Sequence, residues 1–169
     1  FVGIGSNGKL AAGNMYTGNY LRTEGTNGVL NFGKQFTQRP TRLKGYFKYT
    51  SVEINKSNDE MKYLIGQPDT CQIFIALGDW SEPVEIRTKP SDRKLFDKND
   101  PHIIAYADMY SGKSVTEYTP FTLELEYRDT DRIPTYIVVV ASASKYGDYF
   151  TGGDGSVLFL DDFTLEYDY

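Results

Sequence analysis

The sequence predicts an all-β protein, built as a sandwich or a barrel of antiparallel strands. Its 169 residues include 14 Tyr, 10 Phe and 16 Gly, a composition that favours strands and tight turns over helices. Short segments that alternate apolar and polar residues recur along the chain, and turn residues separate them. No segment shows a sustained helical period, so we expect little helix.

The first part of the chain predicts short strands joined by glycine-rich turns. Residues 10–36 predict one or two strands, with Asn27 and Gly28 as a tight connection. Residues 43–52 predict a half-exposed strand with alternating faces. The further strands predicted before the last apolar run are 71–77, 84–88, 103–110 and 121–127.

The strongest structural signal is a nearly continuous apolar run at residues 135–144. Such a run, rich in Val, predicts a central strand buried on both faces, because a surface strand would alternate with polar residues. A glycine-rich loop follows and carries Tyr146, Asp148, Tyr149 and Phe150. We therefore expect aromatic and acidic groups to be presented at a turn beside the core strand.

The last predicted strand, residues 157–167, contains a change of apolar phase. Leu158 and Leu160 share one parity, whereas Phe163, Leu165 and Tyr167 share the other, and the change falls at Asp161 and Asp162. A change of phase within a single strand predicts a β-bulge, which would re-aim a carboxylate at this position.

Length and charge limit the class of protein. A chain of 169 residues buries one good core, so we expect a single domain over residues 1–169. The formal net charge of −5 opposes capture of nucleic acid, and no apolar run is long enough for a transmembrane segment. The chain opens on Phe1 without an initiator Met, so we expect the C-terminal part of a longer protein, with an N-terminal domain outside it.

Catalytic motifs are scarce in the sequence. Cys71 and His102 are the only residues of their kinds, which excludes intrachain disulfides, cysteine clusters and multi-histidine metal sites. We expect Cys71 to be buried in its strand. A carboxylate pair for glycoside cleavage stays open, since such pairs are defined by spatial separation and not by sequence. The acidic candidates at predicted strand ends or loops are Glu53, Asp79, Glu82, Asp108, Asp148, Asp154, Asp161 and Asp162.

Several long segments carry a family resemblance. They are Arg39–Tyr49, Ile75–Trp80, Leu95–Tyr106, Ala141–Gly153 and Gly155–Asp162, with Pro134 before the apolar strand. Together they resemble the putative carbohydrate metabolism domain family of Bacteroidetes over nearly the whole chain. The resemblance implies a jelly-roll β-sandwich of two antiparallel sheets, similar to carbohydrate-binding modules. It also implies a secreted protein of the periplasm or cell surface, with a lipoprotein as one form of the full-length chain.

The resemblance supplies a polysaccharide or oligosaccharide as partner, and the sequence supplies groups suited to bind it. Aromatic rings stack on the apolar face of a sugar, while nearby carboxylates and amides bind its hydroxyls. The candidate ligand-binding residues are Trp80, Asp79, Tyr46, Tyr106, Tyr110, Tyr146, Asp148 and Tyr149. Each aromatic residue is also a candidate for the core, and Trp80 fits either role about equally.

Asp161 is the candidate metal ligand. The resemblance implies a structural calcium near the closing strand, as in many carbohydrate-binding jelly rolls, and Asp161 falls at the expected bulge. A buried, hydrogen-bonded aspartate is the alternative.

We therefore expect a glycan-binding domain that performs no chemistry itself. The alternatives are a glycoside hydrolase that uses two carboxylates and a structural or adhesion domain at the cell surface. A carboxylate pair in a concave cleft, with one raised pKa, would favour the enzyme, whereas an aromatic shelf without such a pair would favour binding.

Overall fold

The computed structural model describes residues 10–25 and 27–168, and this part of the chain is almost all β, which confirms the predicted fold class. Its helices are 3-10 turns at Asp59–Leu64, Pro90–Asp92 and Gly147–Tyr149, and no helix in these ranges is long and apolar enough to cross a membrane. The strands are β1 Asn14–Tyr16, β2 Gly18–Glu24, β3 Asn27–Phe32, β4 Lys34–Gln35, β5 Arg42–Thr50, β6 Cys71–Gly78, β7 Val84–Arg87, β8 Ile103–Ser111, β9 Val115–Glu124, β10 Glu126–Tyr127, β11 Tyr136–Ser142 and β12 Val157–Glu166.

The strands form antiparallel sheets that we call A, B and C. Sheet A has the order β1-β11-β6-β8-β10, and β4 also pairs with β11. Sheet B has the order β2-β3-β7, and sheet C has the order β12-β5-β9. The chain crosses repeatedly between sheets A and C, since β4, β6 and β8 belong to A whereas β5 and β9 belong to C. Such alternation between two packed sheets is typical of jelly-roll sandwiches.

Sheet A is the middle layer, because each of its faces packs against another sheet. The face toward sheet C carries Ile73 and Ile75 of β6, in a core shared with β5 and β9. The face toward sheet B carries Phe74 and Ala76, in a second core shared with β3 and β7. The sandwich of sheets A and C is the predicted one, and sheet B adds a layer that the sequence did not reveal.

Strand β11 confirms the prediction of a central strand buried on both faces. Val138 is fully buried in the core next to sheet B, and Ile137 and Val139 are buried in the core next to sheet C. The strand has β6 on one side and both β1 and β4 on the other. Its continuous apolar sequence therefore reflects contact with two cores.

Strand β12 contains the predicted β-bulge. Its register against β5 shifts between Asp161 and Thr164, and Asp162 has a left-handed backbone with a φ of 54°. On either side of the shift, Leu160 and Phe163 both pack against the core between sheets A and C. The bulge thus keeps the apolar side chains of both halves of the strand on the inner face.

Two predicted connections differ from the observed ones. Asn27 and Gly28 begin β3 and do not form the turn before it, where Gly25 has a left-handed backbone. The predicted strand 121–127 is divided, because β9 ends at Glu124 in sheet C and β10 belongs to sheet A. The alternation continues across the division, so the sequence pattern alone does not reveal the change of sheet.

Cys71, the only cysteine of the chain, begins β6 and is fully buried, as predicted. Its side chain belongs to the core between sheets A and C. Burial raises the pKa of the thiol to about 11, so the thiol is protonated at neutral pH. The residue is structural in this environment.

Candidate functional site

A cleft of about 370 Å³ lies between sheets A and B, beside the loop that follows β11. We call it the AB cleft. Aromatic rings make much of its wall, and charged side chains lie at its edge. The lining side chains include Phe74, Phe96, Tyr106, Tyr110, Lys145 and Asp148. A concavity that combines aromatic walls with polar groups is a suitable form for a small-ligand site.

Two tyrosines of β8 form one wall of the AB cleft. Tyr106 and Tyr110 project from the same face of the strand, with Asp108 between them. Both phenol hydroxyls donate to Oδ2 of Asp108, at 3.0 and 2.9 Å respectively. Nε2 of Gln72 donates to the Tyr110 hydroxyl at 3.2 Å. These hydrogen bonds fix the orientation of both rings before any ligand arrives.

The environment of this wall raises the pKa of both phenols. The pKa of Tyr110 rises to about 12, first because of burial and then because of its hydrogen bond to Asp108. The pKa of Tyr106 is raised by the same two causes. Both hydroxyls therefore stay protonated at physiological pH and donate to the Asp108 carboxylate.

Lys145 lies at the edge of the AB cleft between two aromatic rings. Its Nζ is 4.6 Å from the centroid of the Tyr110 ring and 5.1 Å from that of the Tyr146 ring. Both distances are within the range of cation–π contacts. Among the residues that the structure describes, no carboxylate forms a salt bridge with Lys145. Its ammonium group is thus positioned beside the cleft with donors free for a ligand.

Asp148 also lines the AB cleft, from the 3-10 turn at Gly147–Tyr149. Burial raises the pKa of its carboxyl, and the charge of Arg93 opposes this only in part. Arg93 is itself paired with Glu60 at 2.7 Å, and its guanidinium lies 4.4 Å from the centroid of the Tyr149 ring. No hydrogen bond joins the Asp148 carboxyl to another side chain in the described ranges. The cleft therefore contains a desolvated carboxyl that is not held by a protein donor.

A buried carboxylate anchors the loop 145–150 to the core. Asp69 is 1% exposed and accepts hydrogen bonds from Oγ of Ser144 at 2.6 Å and from the N–H of Gly153 at 2.8 Å. The N–H of Thr70 donates to its other oxygen at 2.8 Å. These donors compensate the buried charge and tie both ends of the loop to one residue. Sequence reasoning missed Asp69, because no local pattern marks an acid that will be buried.

The structure brings together four of the predicted ligand-binding residues. Tyr106 and Asp148 line the AB cleft, and Tyr146 and Tyr149 lie in the loop beside it. Tyr110, weighed with them as a candidate, also lines the cleft. The glycine-rich character of the loop was the signal that led to three of these residues. Their binding role stays a prediction.

Trp80 is a core residue and not an exposed sugar platform, so that prediction is wrong. Its side chain is 6% exposed and packs edge-on against Phe96, with ring centroids 6.1 Å apart. The ring also lies over Gly78, where any added Cβ would clash with it. Its Nε1 donates to Oδ2 of Asp100 at 3.2 Å. The indole completes the core between sheets A and B, which leaves no free face for stacking.

Asp79 takes part in ion pairs away from the AB cleft. Its carboxylate contacts Nδ1 of His102 at 2.9 Å and Nη1 of Arg132 at 3.1 Å. Burial acts to raise the pKa of Asp79, but the hydrogen bonds from these two partners outweigh it and lower the pKa. Asp79 follows the end of β6 that pairs with the start of β11. The loop 145–150 therefore lies a strand length away, roughly 20 Å.

Tyr46 and Asp161 lie on the outer face of sheet C, which points away from sheet A. They are paired between β5 and β12, and both side chains are exposed. The same face exposes Tyr118 of β9 and Phe159 of β12. We call the outer surface formed by Tyr46, Lys48, Tyr118 and Phe159 the sheet C shelf. Tyr46 is therefore accessible, but it does not belong to the AB cleft.

Asp161 lies at the predicted bulge and is exposed, so the alternative of a buried, hydrogen-bonded aspartate is wrong. Within residues 10–25 and 27–168, no group of three or more His, Cys, Asp or Glu side chains is placed to hold a metal ion. A calcium ion at Asp161 would need most of its ligands from backbone carbonyls and water. The calcium site stays a prediction.

Comparison with known families and structures places the chain among carbohydrate-related proteins of similar fold. The family described as "Putative carbohydrate metabolism domain" matches residues 2–166. No curated protein matches the sequence.

Two crystal structures share the fold. A putative glycoside hydrolase from Bacteroides thetaiotaomicron VPI-5482 superposes with a TM-score of 0.67 at 22% identity, over 94% of this chain and 48% of that one. A putative glycoside hydrolase from Bacteroides vulgatus ATCC 8482 superposes with a TM-score of 0.64 at 22% identity, over 83% of this chain and 63% of that one. This chain spans about half the length of the first structure and less than two thirds of the second.

Proposed function

We propose that this chain, which belongs to the putative carbohydrate metabolism domain family, binds an oligosaccharide or a segment of polysaccharide in the AB cleft and performs no chemistry itself. The observation that carries the proposal is the wall of Tyr106 and Tyr110, whose rings are fixed through Asp108. A pre-ordered aromatic wall binds the apolar face of a sugar without a further loss of side-chain entropy.

The polar groups of the cleft suit a ligand rich in hydroxyls. Lys145 supplies donors at the edge, and Asp148 and Gln72 supply a carboxyl and an amide in the lining. A sugar hydroxyl both donates and accepts, so a mixed set of donors and acceptors can satisfy several hydroxyls at once. The volume of about 370 Å³ is at the small end of ligand sites, which favours a short segment of a glycan.

The test is a glycan array followed by calorimetry with the best oligosaccharide. Tyr110→Ala removes half of the wall, and Lys145→Gln removes the charge at the edge. We expect each change to raise the Kd about tenfold or more, which corresponds to about 1.4 kcal/mol. Tyr63→Ala is the matched control, since Tyr63 is 69% exposed and does not line the cleft.

The possible outcomes separate three roles. Unchanged affinity in both cleft variants would remove the AB cleft as the site. No binding across a broad array would remove glycan binding altogether and favour a structural or adhesion role. Weaker binding in the cleft variants, with Tyr63→Ala unchanged, supports the proposal.

A glycoside hydrolase is the second candidate, and the carboxyl of Asp148 is the observation that favours it. Its raised pKa suits a general acid that protonates a glycosidic oxygen. Such an enzyme needs a second carboxylate about 5–10 Å away. Asp108 is on the same face of sheet A as the cleft, but two phenol hydroxyls already donate to it. That engagement leaves Asp108 poorly suited to activate water, so binding is the better supported function.

Release of reducing sugar decides between the two candidates. The hydrolase predicts release from a glycan that the domain binds, and Asp148→Asn should abolish the release while leaving binding within about threefold. Binding without any release, in the same incubation, retains the non-catalytic role.

We place the domain outside the cytoplasm, in the periplasm or at the cell surface, because polymeric glycans are met there. The net charge of −5 is consistent with a partner other than nucleic acid. Protease accessibility of the protein on intact cells, compared with lysed cells, tests the surface location.

A further inference from the structure

The sheet C shelf is a second exposed aromatic surface, on the opposite side of sheet A from the AB cleft. Tyr46, Tyr118 and Phe159 are 44%, 46% and 46% exposed, and Val157 beside them is 41% exposed. Their strands are adjacent in the order β12-β5-β9, so the side chains form one patch. Continuous exposed apolar patches on a soluble domain mark interaction sites.

Lys48 lies at the centre of the shelf, between two aromatic rings. Its Nζ is 5.0 Å from the centroid of the Tyr118 ring and 4.9 Å from that of the Phe159 ring. The two rings lie on strands that flank β5, so they are about two strand spacings apart, roughly 10 Å. Within the described residues, Lys48 forms no salt bridge, so its ammonium donors remain free between the rings.

The outer face of sheet C has an ion-paired end and an aromatic end, and among the described residues only the aromatic end offers unpaired charged groups to a ligand. Toward the other end of β5, Arg42 pairs with Glu124 and Asp168 at 2.8 Å each, and Lys44 pairs with Glu166 at 2.8 Å. Those charges are matched to one another. The aromatic end carries an unmatched lysine and an exposed Asp161, and it has no covering layer among the described residues.

We propose that the sheet C shelf is a second glycan-binding surface, which takes an extended neutral polysaccharide across its three strands. The two rings flank Lys48 at about two strand spacings, so two sugars of one extended chain can stack on Tyr118 and Phe159. The exposed face of sheet C suits a long chain that passes over the surface, whereas the AB cleft suits a short segment. The inference shares its ligand class with the proposed function, but it uses a different site.

Charge favours a neutral glycan over an acidic one. Lys48 offers donors and Asp161 offers an acceptor, which together match hydroxyl groups. An acidic polysaccharide would gain from Lys48 but would be repelled by Asp161, by the neighbouring Asp162 and by the net charge of −5.

Affinity electrophoresis tests the shelf with named polysaccharides. The native gels contain hydroxyethylcellulose, xylan, galactomannan or soluble starch as neutral probes and polygalacturonate as the acidic probe. We expect at least one neutral probe to retard the protein. Tyr118→Ala and Phe159→Ala should each weaken that retardation about fivefold to tenfold, and the double variant should abolish it. Tyr63→Ala, at a different exposed tyrosine, should behave like the parent.

The cleft variant Tyr110→Ala separates this inference from the proposed function. If polysaccharide still retards Tyr110→Ala but no longer retards the shelf variants, the shelf binds the polysaccharide. This result supports the shelf inference even if the cleft does not bind a glycan. Retardation that is unchanged in Tyr118→Ala and Phe159→Ala overturns the shelf, and so does retardation by polygalacturonate alone or by none of the probes. A change of sedimentation coefficient in the shelf variants, without a change in retardation, also overturns it and indicates contact with another protein chain.

Discussion

The AB cleft and the sheet C shelf each contain the same unit, a lysine ammonium group between two aromatic rings, but the surroundings of the two lysines differ. In the cleft, Lys145 lies between the rings of Tyr110 and Tyr146. On the shelf, Lys48 lies between two rings at nearly the same distances. The cleft tyrosine is tied to Asp108 by a hydrogen bond, whereas the shelf rings are exposed and belong to no comparable network in the described chain.

A cation between aromatic rings therefore does not by itself define a functional role. In the cleft, the hydrogen bond from Tyr110 to Asp108 connects the unit to strand β8, so a change there should alter both stability and binding. On the shelf, the unit sits on a finished sheet, so a change there should alter binding alone. The following substitutions test that distinction, beginning with one that should destroy both regions.

Val138→Asp should have the largest effect, because Val138 is fully buried in the central strand β11. A charge without a partner in that position should lower the free energy of unfolding by about 4 kcal/mol or more. Cleft and shelf should then be lost together, as seen by circular dichroism during thermal unfolding. Ile133→Asp is the control, since Ile133 is 69% exposed. A melting temperature close to that of the parent would contradict the central placement of β11.

Asp69→Ala should weaken binding in the AB cleft and leave binding on the sheet C shelf unchanged. The change leaves the donors of Ser144, Gly153 and Thr70 without their buried acceptor, so we expect a loss of about 3 kcal/mol in urea unfolding. Oligosaccharide binding should weaken because the loop 145–150 loses its anchor, while polysaccharide retardation should persist. Asp154→Ala changes an exposed acid nearby and should be neutral. Equal loss of both binding activities in Asp69→Ala would show that the regions are not independent.

Removing one tyrosine hydroxyl from each region should have different effects on stability. Tyr106→Phe removes a donor to Asp108 and should lower the free energy of unfolding by about 1–2 kcal/mol. Tyr118→Phe removes an exposed hydroxyl of the shelf and should change it by less than about 0.5 kcal/mol. Urea titrations of both variants under one set of conditions provide the measurement. The distinction fails if the two variants lose the same stability.

Asp148→Asn should have the smallest effect, and that effect should depend on pH. Because burial raises the folded-state pKa of Asp148, its protonated form contributes stability that is present below the unfolded pKa of about 3.9 and is lost as the pH rises through the folded pKa. Asparagine does not titrate, so the variant should gain stability relative to the parent over that interval. Urea unfolding between about pH 3 and pH 7 measures the difference. Parallel pH profiles would show that Asp148 does not titrate in a desolvated site.

Local patterns predicted those parts of the fold that depend on which face of a strand is buried. The apolar run of β11 and the phase change at Asp161 are recorded in the order of residues, so the central strand and the bulge were predictable. The existence of sheet B was not, because the pairing of β3 with β7 joins segments that are distant in the sequence. Pairing between distant strands leaves no mark in a local alternation of residues.

Only the loop part of the candidate site was predictable from the sequence, because glycines mark a turn there. The glycines around Tyr146 and Asp148 marked an exposed turn, and the structure places that turn at the AB cleft. Trp80 was misjudged because an aromatic residue at a strand end can point inward or outward, and here Gly78 leaves room for it inside. Asp69 was missed because its importance comes from donors that are far away in the sequence.

The burial of Cys71 gives the protein an internal reporter of motion. The chain has no other thiol, and this one is fully covered at the start of β6. A thiol reagent can therefore react only when the core between sheets A and C opens, so the labelling rate counts opening events of that layer. Glycan on the shelf or in the cleft that slows labelling would report, without any engineered probe, how strongly each surface is coupled to the middle sheet.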